Sequence, residues 1–214
     1  ALMLKQFSFP HLVITPEFSP VSDEVILVSM STKNDQEIFA FNPNDTKQKP
    51  TALTKSWNLD LSPSFSPDGE QIAYVSSITG NPQIFVMKND GSSTKRVTFD
   101  GKNNETPAWS PKGDKIVFGG MDKDSRFDLF IMKTDGTEMK RLTYDTKNNE
   151  DPNWSPDGRW IVFSSSRDVE INGKLVKNRY HLYIMKASGK NQKLITLDET
   201  FEYFDPAWSP RLKQ

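Results

Sequence analysis

An all-β fold built from four-stranded antiparallel units is the class this sequence predicts, and three observations carry the prediction. One aromatic residue followed by Ser-Pro occurs five times, at Phe18-Ser19-Pro20, Phe65-Ser66-Pro67, Trp109-Ser110-Pro111, Trp154-Ser155-Pro156 and Trp208-Ser209-Pro210. The aromatics stand 47, 44, 45 and 54 residues apart, the period of a propeller blade. Between these phrases lie short runs of β-branched and aromatic residues, each bounded by turn signals.

Local chemistry justifies each element in turn. Pro presets φ for the first central position of a turn, and the Asp-Gly at 68–69 and 157–158 tolerates the tight conformations that follow, so a first strand ends just past each aromatic. Second strands are predicted at 72–75, 116–118 and 161–163, and third strands at 83–87, 128–132 and 181–185. Asn89-Asp90-Gly91, Thr134-Asp135-Gly136 and Ser188-Gly189 close the third strands, and polar fourth runs follow at 95–98, 140–143 and 193–196. The second and third runs are apolar at consecutive positions, which asks for burial of both faces, while Lys and Arg on the fourth suit an outer edge. Sheets stacked face to face around an axis meet that demand; a two-sheet sandwich would leave one face of every strand polar. The prediction is a β-propeller.

Four complete blades are expected, at about 10–55, 56–99, 100–144 and 145–197, with a partial blade made from 198–214 and 2–9. All of 1–214 then counts as one propeller domain, a partial ring. Repeat one is the most degenerate, with Val21-Ser22-Asp23-Glu24 where others carry Asp-Gly. Repeat four is lengthened between its second and third strands by Val169 to Val176, where Asn172-Gly173 flanked by alternating apolar residues predicts a hairpin. A partial ring would expose strand edges and apolar blade faces, so self-association or a retained N-terminal fragment is expected.

Composition narrows the function. Net charge is −1 with pI about 6.2 and no long run of like charge, so nothing points to nucleic acid. No apolar stretch approaches the roughly 20 residues that span a bilayer. Without cysteine there is no disulfide, thiolate metal site or cysteine nucleophile. His11 and His181 are the only imidazoles, one near a degenerate end and one inside a strand, too few for a His-rich metal site or a Ser-His-Asp triad. No Gly-rich phosphate loop is present either. A non-enzymatic binding scaffold is the expectation.

In a meander blade the loops alternate faces, so the loops leading into the first strands gather on one side near the axis. Each carries a carboxylate close to its aromatic: Asp60, Glu105, Glu150 and Glu202. Converging, these four would form an acidic mouth able to hold Ca²⁺ through oxygen ligands; alternatively, the Asn and Asp residues there form local turns and cap loop backbone. No other cofactor is expected.

Several stretches resemble the TolB family: Trp57-Asn58-Leu59-Asp60-Leu61-Ser62-Pro63-Ser64-Phe65-Ser66-Pro67-Asp68-Gly69, Ala108-Trp109-Ser110-Pro111-Lys112-Gly113-Asp114, Asn148-Asn149-Glu150-Asp151-Pro152-Asn153-Trp154 and the ending Pro206-Ala207-Trp208-Ser209-Pro210-Arg211-Leu212. The resemblance implies a six-bladed ring behind an N-terminal α/β domain, of which that domain and the first blades are missing here. It also implies a periplasmic protein of the Tol–Pal system that binds the peptidoglycan-associated lipoprotein Pal through the lead-in loops. The implied partner-binding residues are Asn58, Leu59, Asp60, Leu61, Ser62, Asn103, Asn104, Glu105, Thr106, Asn148, Asn149 and Glu150. TolA would be engaged only by an extreme N-terminal region that this sequence lacks. Peptidase propellers share the repeat motif, so the competing expectation is the substrate-gating propeller of a prolyl-peptidase-like hydrolase.

Overall fold

The computed structural model describes residues 12–31, 35–45, 47–144 and 147–209. The strand expected at 2–9, His11 and residues 210–214 lie outside them. Among the described residues all helix or strand structure is β. The chain divides into two compact units, residues 1–97 and 98–214.

Unit one holds two blades. Blade one is β1 (Val13–Phe18), β2 (Ile26–Ser31), β3 (Gln36–Phe41) and β4 (Thr51–Ala52); blade two is β5 (Asp60–Phe65), β6 (Gln71–Ser76), β7 (Gln83–Lys88) and β8 (Lys95–Arg96). Unit two holds blade three, β9 (Asn104–Trp109), β10 (Lys115–Met121), β11 (Phe127–Lys133) and β12 (Lys140–Arg141). Its other blade, four, runs through β13 (Asn149–Trp154), β14 (Trp160–Ser165), the hairpin strands β15 (Val169–Ile171) and β16 (Lys174–Val176), β17 (His181–Lys186) and β18 (Lys193–Leu194). Every blade is an antiparallel meander in chain order, with the hairpin a separate two-stranded sheet. Asn172 and Gly173 both take positive φ, 51° and 78°, as a type I′ turn requires.

The recurring phrase is a self-contained turn. Ser66 Oγ donates to Asp68 Oδ1 and accepts from the Gln71 amide at 2.9 Å, while Asp68 Oδ1 also takes the Glu70 amide. Ser155, Asp157, Arg159 and Trp160 repeat these bonds. The serine hydroxyl holds the carboxyls of Asp68 and Asp157 below their usual range.

Each first strand carries a bulge. Its third residue, Thr15, Ser62, Thr106 or Asp151, sits at φ 47–52° immediately before a proline, and the ladder to the second strand shifts register there. Proline is tolerated because the first strand is an edge of its sheet.

Packing follows the run pattern. β6 is buried at every residue but the first and β7 at every residue but the last. In unit one Leu27, Ile38, Phe65, Ile72, Tyr74, Phe85 and Met87 form one core; in unit two Val117, Leu129, Trp154, Ile161, Phe163, Tyr183 and Met185 belong to another. Burying each such side chain contributes about 1.5–3 kcal/mol. The turn closing the third strand packs on the preceding blade: a Cβ on Gly91 would stand 2.6 Å from Leu53 O, and one on Gly189 2.8 Å from Leu142 O, so both positions need glycine.

Two expectations are corrected. The fourth strands are two residues long, shorter than the four-residue runs predicted, because a threonine side chain takes over the ladder: Thr54 Oγ1 accepts the Ile38 amide at 2.9 Å, and Thr143 Oγ1 the Leu129 amide at 2.9 Å. Residues 205–209, the described part of a first strand expected over 205–210, form none. Phe18 is 66% exposed, whereas its counterparts Phe65, Trp109 and Trp154 are buried.

Candidate partner-binding face at the lead-in loops

One device fixes these loops in both units. The third strand opens on a buried polar side chain, Glu37, Asp128 or His181, which meets the hydroxyl of a fourth-run threonine. Thr54 Oγ1 donates to Glu37 Oε2 at 2.5 Å and Thr143 Oγ1 to Asp128 Oδ1 at 2.6 Å. Thr196 Oγ1 lies 3.3 Å from His181 Nδ1. Glu37 and Asp128 then reach into the following blade.

In unit one that reach organises residues 56–62. Glu37 Oε1 accepts the amides of Ser56 (2.7 Å) and Trp57 (3.1 Å). Asn58 Nδ2 donates to Ser56 O at 2.7 Å, and the Gln36 amide donates to Asn58 O. Leu59 bonds Ser77 in both directions, through Ser77 Oγ at 3.0 Å and the Ser77 amide at 3.1 Å. Asp60 is buried, its Oδ2 accepting from Ser56 Oγ at 2.9 Å. Leu61 and Ser62 are half-buried, and Leu59 is exposed. Burial, and to a smaller extent the charge of Asp60, push Glu37 above the usual carboxylate range against the bonds from Thr54 and Trp57.

In unit two a longer polar chain does the same work. Asp128 accepts from Thr143 and pairs with Arg141, which also faces Asp122 at 3.6 Å. Asn149 Nδ2 donates to Asp128 Oδ1 at 3.2 Å and Asn149 Oδ1 accepts from Arg167 at 2.7 Å. Arg167 itself stacks over the Tyr183 ring, 4.4 Å from its centroid. Asn148 accepts the Phe127 amide and donates to the Tyr180 hydroxyl at 3.1 Å. Asn103 donates to Glu105 Oε1, and buried Asn104 donates to Asp100 O at 2.8 Å. Glu202 accepts the Tyr180 amide at 3.3 Å.

The structure thus places Asp60, Asn104 and Asn149 beneath the loops as supports, and leaves Asn58, Leu61, Ser62, Asn103, Glu105, Thr106, Asn148 and Glu150 half-buried. Glu105 and Glu150 sit at one position of adjacent first strands. Burial raises both carboxyls, and for Glu105 the charge of Glu150 adds to it. Asp151 is pushed up to about 6 by burial first and then by Asp205, Glu150 and Glu105. Among the described residues no three His, Asp or Glu side chains gather closely enough to hold a metal ion.

Sequence reasoning missed Glu37, Asp128 and His181. A signal exists, a polar residue heading an apolar third run 15 to 17 residues before a threonine, but Glu, Asp and His share no chemistry that advertises one role.

The profile of the TolB beta propeller domain matches residues 4–212. Comparison with curated proteins gives no match. TolB from Acinetobacter baumannii superposes with a TM-score of 0.69 at 23% identity, over 87% of this chain and 44% of that one. A structure described as TolB from Agrobacterium tumefaciens gives 0.66 at 20% identity, over 87% and 81%. A prolyl endopeptidase gives 0.59 at 13% identity, over 88% and 30%. These identities show a shared fold, and the chain spans less than half the length of the Acinetobacter protein. With the family profile covering nearly every residue on top of four meander blades, the chain belongs to the TolB beta propeller domain family.

Proposed function

We propose that the chain is a non-enzymatic, protein-binding scaffold of the periplasm, part of a Tol–Pal system that supports outer-membrane integrity and cell division, and that its lead-in loops bind a Pal-type peptidoglycan-associated lipoprotein. The supporting observation is the polar framework under those loops, which holds their backbone in one conformation before any partner arrives. Binding by such a surface does not incur the cost of ordering loops. The likeness to a prolyl endopeptidase supports the alternative of a gating propeller at the level of fold only.

Isothermal titration of a Pal-type lipoprotein's soluble domain into the chain tests the reading. Saturable binding is expected; a Kd weaker than about 1 mM, worth only about 4 kcal/mol, would refute it. Turnover of proline-containing peptides by the purified chain would refute the non-enzymatic assignment.

A further inference from the structure

We propose that Trp57 anchors the protein contact, inserting into an apolar pocket of a partner that sets a basic group beside that pocket. The inference rests on the scaffold reading above and names the side chain that carries it.

Trp57 is 84% exposed, more than any other large hydrophobic side chain described. Its backbone lies at φ 59°, the left-handed region where a bulky residue is an outlier and needs to be held. Glu37 holds it: one carboxylate oxygen takes the amides of both Ser56 and Trp57, and the Gln36 amide fixes the next peptide through Asn58 O. Folding alone would favour Gly or Asn at this φ and a small polar side chain in this much water. The chain instead fixes a tryptophan outward, in a loop already ordered, which is what an interface anchor requires.

The surroundings say what the anchor meets. Leu59 (48% exposed) and Ile78 (52%) extend the apolar surface, brought together by the bonds between Leu59 and Ser77. Beneath lie Glu37 and Asp60, both buried, which accept from hydroxyls and backbone amides and have no Lys or Arg partner among the described residues. Two acidic side chains thus put negative charge under the patch, with no described cation to offset it. That charge attracts a cationic rim and opposes an anionic lipid surface, so the chemistry selects a protein partner with a basic group next to its pocket.

The test titrates the soluble domain of a Pal-type lipoprotein into the wild-type chain, Trp57→Ala and Trp57→Gly, with thermal melts of all three. We expect Kd to weaken about thirtyfold or more in both variants, the size of a hot-spot residue. The Trp57→Gly melting point is expected to stay level or rise, since glycine adopts this φ freely. Binding that survives both substitutions overturns the anchor and leaves the scaffold reading standing; absence of binding by wild type overturns both. A melting point several degrees lower in Trp57→Gly would make Trp57 a folding residue and refute the proposal. So would Trp57-dependent binding to phosphatidylglycerol vesicles.

Discussion

Replacing Asp151 by asparagine should make the protein more stable at pH 8 and barely change it near pH 4. Asp151 is the bulge residue of β13, half-buried, and faces Asp205, Glu150 and Glu105. Its carboxyl moves from an ordinary 3.8 to about 6 in the folded chain, chiefly because burial disfavours the charge. The folded state therefore binds more protons than the unfolded state between these values, so stability falls as pH rises from about 3.8 to about 6 and stays reduced above. At about 1.4 kcal/mol per pH unit, the ionised form costs up to about 3 kcal/mol at pH 8, and solvent at a half-buried site trims that to roughly 1–3 kcal/mol. Asparagine removes the charge, tolerates the φ of 52°, and can accept the Asp205 amide that Asp151 now accepts. Urea titrations at pH 4 and pH 8, followed by intrinsic tryptophan fluorescence, measure the difference. Equal effects at both pH values, or a less stable variant at pH 8, would refute the reasoning.

Thr143→Ala should destabilise by about 1–3 kcal/mol, because buried Asp128 and the Leu129 amide both lose a partner; a urea midpoint equal to that of Thr137→Ala in an exposed turn would contradict this. If the carboxylates of the lead-in face hold Ca²⁺, millimolar calcium should raise Tm by mass action and Glu105→Gln with Glu150→Gln should abolish the increment, whereas melts identical in chelator and calcium would remove the ion from consideration. The exposed aromatics Phe18, Phe201 and Phe204 favour association, so light scattering should find a species larger than the 24.4 kDa chain. A monodisperse monomer of ordinary solubility would count against it.

What the sequence made legible was local. The Ser-Pro-Asp-Gly turn could be read because its bonds, Ser66 to Asp68 and Gln71, close within five residues. The Asn172-Gly173 hairpin was readable for the same reason, since its two φ values are set by the residues that adopt them. The threonine device was not, because Glu37 and Thr54 stand 17 residues apart and the acceptor changes identity from blade to blade. Residues 205–209 misled because the aromatic-Ser phrase marks where a turn falls, whereas strand conformation depends also on contacts outside the phrase. Within the candidate site, which of the lead-in side chains are consumed as supports depends on burial, and spacing along the sequence does not report it. Asp60 and Glu105 carry the same carboxylate chemistry, yet one is under the loop and the other at its edge.

The second residue of each first strand shows where the fold leaves room for function. Ile14, Leu61, Glu105 and Glu150 occupy this place in blades one to four, directly before the left-handed bulge, and Leu61, Glu105 and Glu150 are all half-buried. One backbone thus presents apolar side chains in unit one and carboxylates in unit two, so packing does not dictate the residue and binding is free to. It follows that Leu61→Glu should fold, at a cost of about 1–1.5 kcal/mol for partly desolvating the new carboxylate, while Ile72→Glu in the core should exceed about 4 kcal/mol. The Leu61→Glu chain should then change its affinity for the partner by more than its stability changes. Urea midpoints of the two variants decide the matter: a Leu61→Glu chain as unstable as Ile72→Glu would mean that the position belongs to the core of its blade and is not available for recognition.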